Sequence, residues 1–266
     1  MFGLGLPELV VIIVIIGIPV GIIVLIRALN RRHQRQGITD VSETPFSGEY
    51  AFRKDPGALT NFLRIMLWIY LGIIIVSLIS DFMQMNLLRS ASFSKTEAEA
   101  NDLQQRIVGV LHLATFIVTG IAFLKWIHRA NFNCHGFGAR NMKFSPGWSV
   151  GYYFIPFLNL YRPYQAMKEI WKVSKNPADW QNEPGSPLLG WWWALWIISA
   201  VLGQISFRMS LAANTLSSLK ESTVISIVSA VVDIPLCIVG VSLVSAIFLR
   251  QKRLTEMKAY QNVTAT

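Results

Sequence analysis

The sequence predicts an all-α fold: an integral membrane helical bundle of five transmembrane helices, with a cytoplasmic re-entrant or interfacial hairpin and an amphipathic helix. Two observations carry that prediction, namely five long apolar stretches and basic residues that gather on alternate sides of them. Composition agrees, at 53% hydrophobic and 15% charged residues with a mean hydropathy of +0.44.

The stretches cover residues 9–26, 65–80, 107–124, 188–207 and 223–249, each near the ~20 residues that cross a hydrocarbon core of about 30 Å. They must be helical, because hydrocarbon offers backbone N–H and C=O groups no partner and a helix pairs them internally. Nineteen of the 24 Lys and Arg lie between the first and second stretches, between the third and fourth, or after the fifth. Basic residues are retained in the cytoplasm, so the N-terminus is expected outside and the C-terminus inside. The resulting division is an N-terminal anchor with a basic flank over 1–36, a cytoplasmic linker over 37–61, a four-helix membrane domain over 62–255 and a cytoplasmic tail over 256–266. Within the domain the spans are placed at about 62–80, 107–124, 188–207 and 223–249, with an interfacial segment at 144–175.

The first stretch reads as a reverse signal-anchor rather than a removed signal, since residues 1–8 carry no Lys or Arg and the basic cluster follows the apolar run. Gly17 and Gly21 give it a spacing that admits close helix contact, with Pro19 between them. Pro45, Gly48, Pro56 and Gly57 then mark the linker. Before the third stretch, Ser94 and Glu97 stand at the spacing of a capping box, which predicts a helix that begins ahead of the membrane.

The most distinctive part of the chain is 123–174. Lys125, His128, Arg129 and Asn133 continue the third helix past the headgroups at helical period, and Gly136 and Gly138 supply its stop. Residues 144–161 are apolar but short, and Pro146 and Pro156 suit a re-entrant or interfacial hairpin. A full crossing there would place Lys168, Lys172 and Lys175 outside, against the charge rule. Pro163 fits a helix start. Tyr164, Met167, Ile170, Trp171 and Ser174 recur on one face of that helix while Lys168 and Lys172 lie around the rest. This pattern predicts a basic amphipathic helix on the inner headgroup surface. Trp191, Trp192, Trp193 and Trp196 follow as an interfacial aromatic belt.

These residues resemble the bacterial multi-pass membrane proteins catalogued as domain of unknown function 4328. The resemblance lies in Phe123, Leu124, Trp126, Arg129, Ala130 and Asn133, then in Phe144-Ser145-Pro146-Gly147-Trp148 with Val150 and Gly151. It continues through Phe154-Ile155-Pro156 with Asn159 and Leu160, and Pro163-Tyr164-Gln165 with Met167, Glu169, Ile170 and Trp171. More loosely it extends from about Asp55 to Arg250 and Gln251. It implies a four-helix integral membrane domain of the bacterial inner membrane without an established activity; the N-terminal helix is an addition to that unit.

Two groups of residues are candidates for function. Arg129, Asn133, Asn159, Arg162, Lys168, Glu169 and Lys172 form a candidate surface for anionic lipid headgroups or a protein partner. Glu169 and Arg129 are expected to pair and clamp the hairpin. His112 and Asp233 form a candidate intramembrane polar site, because ionisable groups are costly in hydrocarbon. Helical rise puts Asp233 about 15 Å deep and His112 about 7 to 8 Å deep, with Gln204 a candidate neighbour. A carboxylate that locks the bundle through hydrogen bonds is preferred here over a proton or ion relay.

No catalytic residue, metal ligand set or cofactor motif is assigned. His128 and His135 lack a nucleophile at a recognisable spacing, Gly136 and Gly138 lack the context of a phosphate-binding loop, and Cys134 and Cys237 have no metal spacing. The net charge of +9 and pI near 9.8 are ascribed to cytoplasmic retention and lipid contact, so nucleic acid is not an expected partner. Membrane lipids are, together with a membrane protein partner or a second copy of the chain. The leading expectation is a non-enzymatic membrane scaffold or sensor, and the alternative is a small transporter or channel using Asp233 and His112.

Overall fold

A computed structural model describes residues 51–90 and 92–264, with side chains described as far as residue 256. The elements are α1 (Gly57–Arg89), α2 (Lys95–Gly136), α3 (Pro146–Gly151), α4 (Arg162–Val173), α5 (Pro187–Ala212) and α6 (Leu216–Thr264). Two 3-10 turns, Tyr152–Phe154 and Leu158–Leu160, separate α3 from α4. Among the described residues there is no strand. Four helices, α1, α2, α5 and α6, are long and apolar enough to cross a membrane. The stretch at 9–26, its glycine pair and most of the expected linker lie outside the described residues.

Local chemistry explains where the helices start and stop. Asp55 Oδ1 accepts the Gly57 N–H at 2.8 Å and the Pro56 carbonyl accepts the Thr60 N–H at 2.8 Å, so α1 begins at Gly57, inside the segment read as linker. Ser94 and Glu97 close the expected capping box: Ser94 N–H donates to Glu97 Oε2 at 2.7 Å and Glu97 N–H to Ser94 Oγ at 3.2 Å. Helix α2 ends at Gly136, where any Cβ would stand 2.6 Å from Arg53 Cγ; Gly138 then turns the chain at a φ of 76°, a conformation glycine adopts without steric cost. Proline occupies the first turns of α3, α4 and α5, where its missing N–H leaves no bond unmade. Pro235 lies within α6, which continues through it.

The spans stand in the order α2, α1, α6, α5, each packed on the next. In their most apolar windows only 11–22% of residues are buried, so most of each helix surface faces outward, as suits helices whose surroundings are lipid. The main core lies instead at one end, where α1 and α5 begin and α2 and α6 lead out. There Leu63, Trp126, Ile127, Ala130, Met167, Ile170, Val173, Leu189, Trp192, Leu243 and Ile247 form one cluster. A smaller one, Ile74, Ala230 and Cys237, joins α1 to α6 farther along.

Residues 144–161 do not span: they form α3 and the two 3-10 turns. The amphipathic helix is present as α4, but its apolar face is not laid on a headgroup surface. Met167, Ile170, Trp171, Val173 and Ser174 are buried in the protein, where α4 packs against α2 and α5. The uncovered end of a four-helix row presents apolar side chains of its own, and these take up that face first.

Ile247 is fully buried and Leu249 is 50% exposed on the same helix. Ile247→Ala is expected to cost about 2–5 kcal/mol, read as a lowered thermal unfolding midpoint of the detergent-solubilised protein, whereas Leu249→Ala should leave the midpoint nearly unchanged.

Candidate functional site

The end that carries the core also carries most of the polar residues singled out from the sequence, and they bind backbone. Asn133 is fully buried; its Nδ2 donates to the Lys54 carbonyl at 3.0 Å and its Oδ1 accepts the Lys54 N–H at 3.1 Å. One helical turn earlier, Arg129 donates from its guanidinium to the Asp55 carbonyl at 3.1 Å. These two residues fasten the segment before α1 to the extended end of α2.

Glu169 performs the same task for the loop after α2. Its Oε1 accepts the Lys143 N–H at 2.8 Å and its Oε2 the Phe144 N–H at 3.2 Å. The Phe144 carbonyl receives Asn131 Nδ2 at 3.2 Å and stands 3.2 Å from His135 Nε2. The expected Arg129–Glu169 pair is therefore not formed: two backbone N–H groups hold the carboxylate and Arg129 is turned to α1. Burial holds the Glu169 carboxyl above its ordinary value, opposed by the two backbone hydrogen bonds and by the Lys143 charge.

The remaining candidates are spread around this lobe. Lys172 Nζ donates to the Gln181 carbonyl at 3.1 Å, Lys168 lies half-buried with its chain along Gly185, and Asn159 is half-buried in the second 3-10 turn. The guanidinium of Arg162 sits 5.3 to 6.0 Å from the ring centres of Tyr161, Tyr152 and Phe144 and donates to Gln165 Oε1. Gln251, fully inside, closes the lobe from α6 by donating to the Ala130 carbonyl at 3.2 Å and to Ser174 Oγ at 3.0 Å. Arg250 beside it rests 3.7 Å above the Trp171 ring.

The turn between the two 3-10 segments is strained. Phe157 has φ 64° and ψ −42°, and the Leu158 N–H donates to the Pro156 carbonyl at 2.8 Å across it. This is a γ-turn of the positive-φ kind, rare for any residue with a side chain and costing of order 1–3 kcal/mol.

A second polar group lies within the spans and draws one side chain from each of the four. Tyr70 of α1 and His112 of α2 meet at 3.0 Å between Oη and Nε2; Ser199 of α5 donates to Asp233 of α6 at 2.5 Å. Asp233 also lies within electrostatic reach of Tyr70, His112 and Cys237. The structure thus brings His112 and Asp233 into one neighbourhood despite their different reckoned depths. Gln204 is exposed and takes no part. At the opposite end of the bundle from the lobe, a hollow of about 450 Å³ is lined by Met85, Arg89, Met209, Lys220 and Val224 among others.

The family model of the domain of unknown function DUF4328 matches residues 89–248. The chain belongs to this family. No curated protein and no solved structure matches it. The DUF4328 match runs from the last residue of α1 through most of α6, so it takes in Arg129, Asn133, Glu169, His112 and Asp233. Lys54 and Asp55, which Asn133 and Arg129 hold, precede it, and Gln251 follows it. Sequence reasoning missed Asn131, Gln251, Tyr70 and Ser199. Each is a polar side chain on a helix, and no local spacing ties it to the residues that were selected.

Glu169→Ala leaves the Phe144 N–H buried without an acceptor and is expected to cost about 1–3 kcal/mol in thermal unfolding of the solubilised protein. Because the folded carboxyl binds its proton more tightly than the unfolded one, this group adds stability below its unfolded value and loses it as pH rises through its folded value. Glu169→Gln, which cannot titrate, should flatten that part of the stability profile.

Proposed function

We propose that this DUF4328 protein is a non-enzymatic scaffold or sensor of the bacterial inner membrane, with its basic end on the cytoplasmic face binding anionic lipid headgroups or a protein partner there. The observation that carries this reading is the division of labour at that end. Asn133, Glu169 and Arg129 fasten loops to helices and Gln251 ties α6 to α2 and to the end of α4, so these side chains build the lobe. Around it Arg53, Arg64, Lys125, Lys143, Lys252 and Arg253 are exposed. Each basic group near an anionic surface contributes about 1 kcal/mol, so a ring of them favours such lipids while a single one does little. The charge alternation along the sequence supports the same orientation, with the C-terminus inside.

Lys168 and Lys172 remain part of the proposed surface, half-buried at the edge of α4. Purified protein is expected to retain phosphatidylglycerol in preference to phosphatidylcholine when bound lipids are counted by native mass spectrometry. The double substitution K168E/K172E should lower the retained phosphatidylglycerol and spare phosphatidylcholine; equal retention by both proteins would overturn the role of these lysines.

A second reading, a small transporter or channel for protons or ions, rests on the Tyr70–His112 and Ser199–Asp233 pairs, to which all four spans contribute. On that reading, vesicles carrying the wild-type protein dissipate an imposed proton or ion gradient, and Asp233→Asn abolishes the leak. Wild-type vesicles as tight as empty ones would remove it and leave Asp233 as a bundle lock.

A further inference from the structure

Phe157 is 81% exposed, the most exposed large hydrophobic side chain among the described residues. It stands on a backbone conformation that side-chain-bearing residues avoid, and Leu160 and Tyr161 just beyond it are 54% and 43% exposed. A phenyl ring held out in water by a strained turn is unfavourable on both counts, so the surroundings of the turn decide its meaning.

Those surroundings are the first turns of α5. Trp193 Nε1 donates to the Leu160 carbonyl at 3.1 Å, Tyr153 meets Trp196 edge-on with ring centres 5.8 Å apart, and Tyr164 lies against Trp193. At 1.5 Å per residue, Trp193 and Trp196 stand about 9 and 14 Å along the helix from Pro187. The hairpin therefore runs beside the span and not above its end. Indole and phenol side chains at that position mark the band where headgroups give way to acyl chains. Arg162, five residues beyond the tip, is held among the rings of Phe144, Tyr152 and Tyr161.

We infer that the Phe157 turn is a membrane wedge, its ring inserted among the phospholipid acyl chains of the leaflet that the basic end meets. The occupant of this apolar tip is lipid hydrocarbon, because the turn is continuous, through Leu160 and Trp193, with the lipid-facing start of α5. The clamp at Phe144 and the tie at Leu160 hold the strained turn at both ends, so the ring is presented and not folded back. The inference deepens the proposed lipid contact by naming the hydrocarbon boundary, and it does not depend on anionic headgroups.

The test therefore uses bilayers of phosphatidylcholine alone. Cys134 and Cys237 are buried, so Phe157→Cys in the otherwise native chain directs a bimane label to the tip, and Asn182→Cys in the exposed loop before α5 serves as the aqueous reference. Spin-labelled phosphatidylcholine is expected to quench bimane at 157 several-fold more than iodide does, with the reverse order at 182. Quenching at 157 by iodide would place the tip in water, and quenching by neither would place it under protein; either overturns the inference. As a measurement free of the label, p-benzoylphenylalanine in place of Phe157 should gain the mass of one phospholipid on irradiation, and adducts to protein alone, or none, would count against the wedge. Loss of phosphatidylglycerol preference in the lysine variants would leave these readouts unchanged, so the two readings fail separately.

Discussion

Irregular backbone buried at the end of a helical bundle has to find partners for its N–H and C=O groups within the protein, since an unpaired buried group costs about as much as a lost hydrogen bond. Residues 51–56, 137–145 and 155–157 are such backbone. The structure answers with side chains: the Asn133 carboxamide takes both polar groups of Lys54, and the Glu169 carboxylate takes two successive N–H groups at Lys143 and Phe144. Everything else at this end follows from those bonds. With the loops fixed, α3 and α4 have a floor to pack on, and the apolar face of α4 goes to the protein core.

The same constraint separates the molecule into two regimes along its axis. At the basic end a buried cluster with indole rings and a fully buried Gln251 forms a compact core. Within the spans there is little hydrophobic gain in helix association, because lipid is as apolar as a leucine surface, and polar bonds take a larger share. The Tyr70–His112 and Ser199–Asp233 bonds link α1 to α2 and α5 to α6, with Ile74, Ala230 and Cys237 joining the two pairs. A carboxyl group in this place needs a partner, and Ser199 supplies the hydrogen bond while His112 is engaged by Tyr70; the lock and the relay readings differ only in whether a proton moves.

How much of this is legible in the sequence depends on how far the chemistry reaches along the chain. The four described spans, the Ser94 and Glu97 box, the Gly136 stop and the Pro163 start are local, and each can be read within one or two helical turns. The function of Asn133 cannot, because its partner Lys54 is 79 residues away. Helical period shows that Asn133 and Arg129 share a face but not what that face meets. Charge attraction predicts a Glu169–Arg129 pair, yet a buried carboxylate close to two unpaired N–H groups gains more from them, since leaving those donors orphaned costs more than leaving an exposed guanidinium to other partners. The α4 apolar face, expected on the headgroup surface, goes to protein for a similar reason: periodicity identifies a face, and only the neighbouring surface decides whether lipid or protein covers it.

The strain at Phe157 is the last consequence of the clamps. A positive φ at a phenylalanine persists only where the surrounding structure over-determines it. Upstream, Phe144 is held at both N–H and C=O by Glu169 and Asn131; downstream, Leu160 is tied to Trp193 and Pro163 starts a buried helix. Between these fixed points the chain has to reverse within the few residues from Ile155 to Leu158, and the γ-turn is how it does so. A glycine would relieve the backbone at no steric cost. That the position carries the bulkiest simple hydrophobe instead argues that the side chain itself is needed, and its direction, away from the core and beside the entry of α5 into the bilayer, says where.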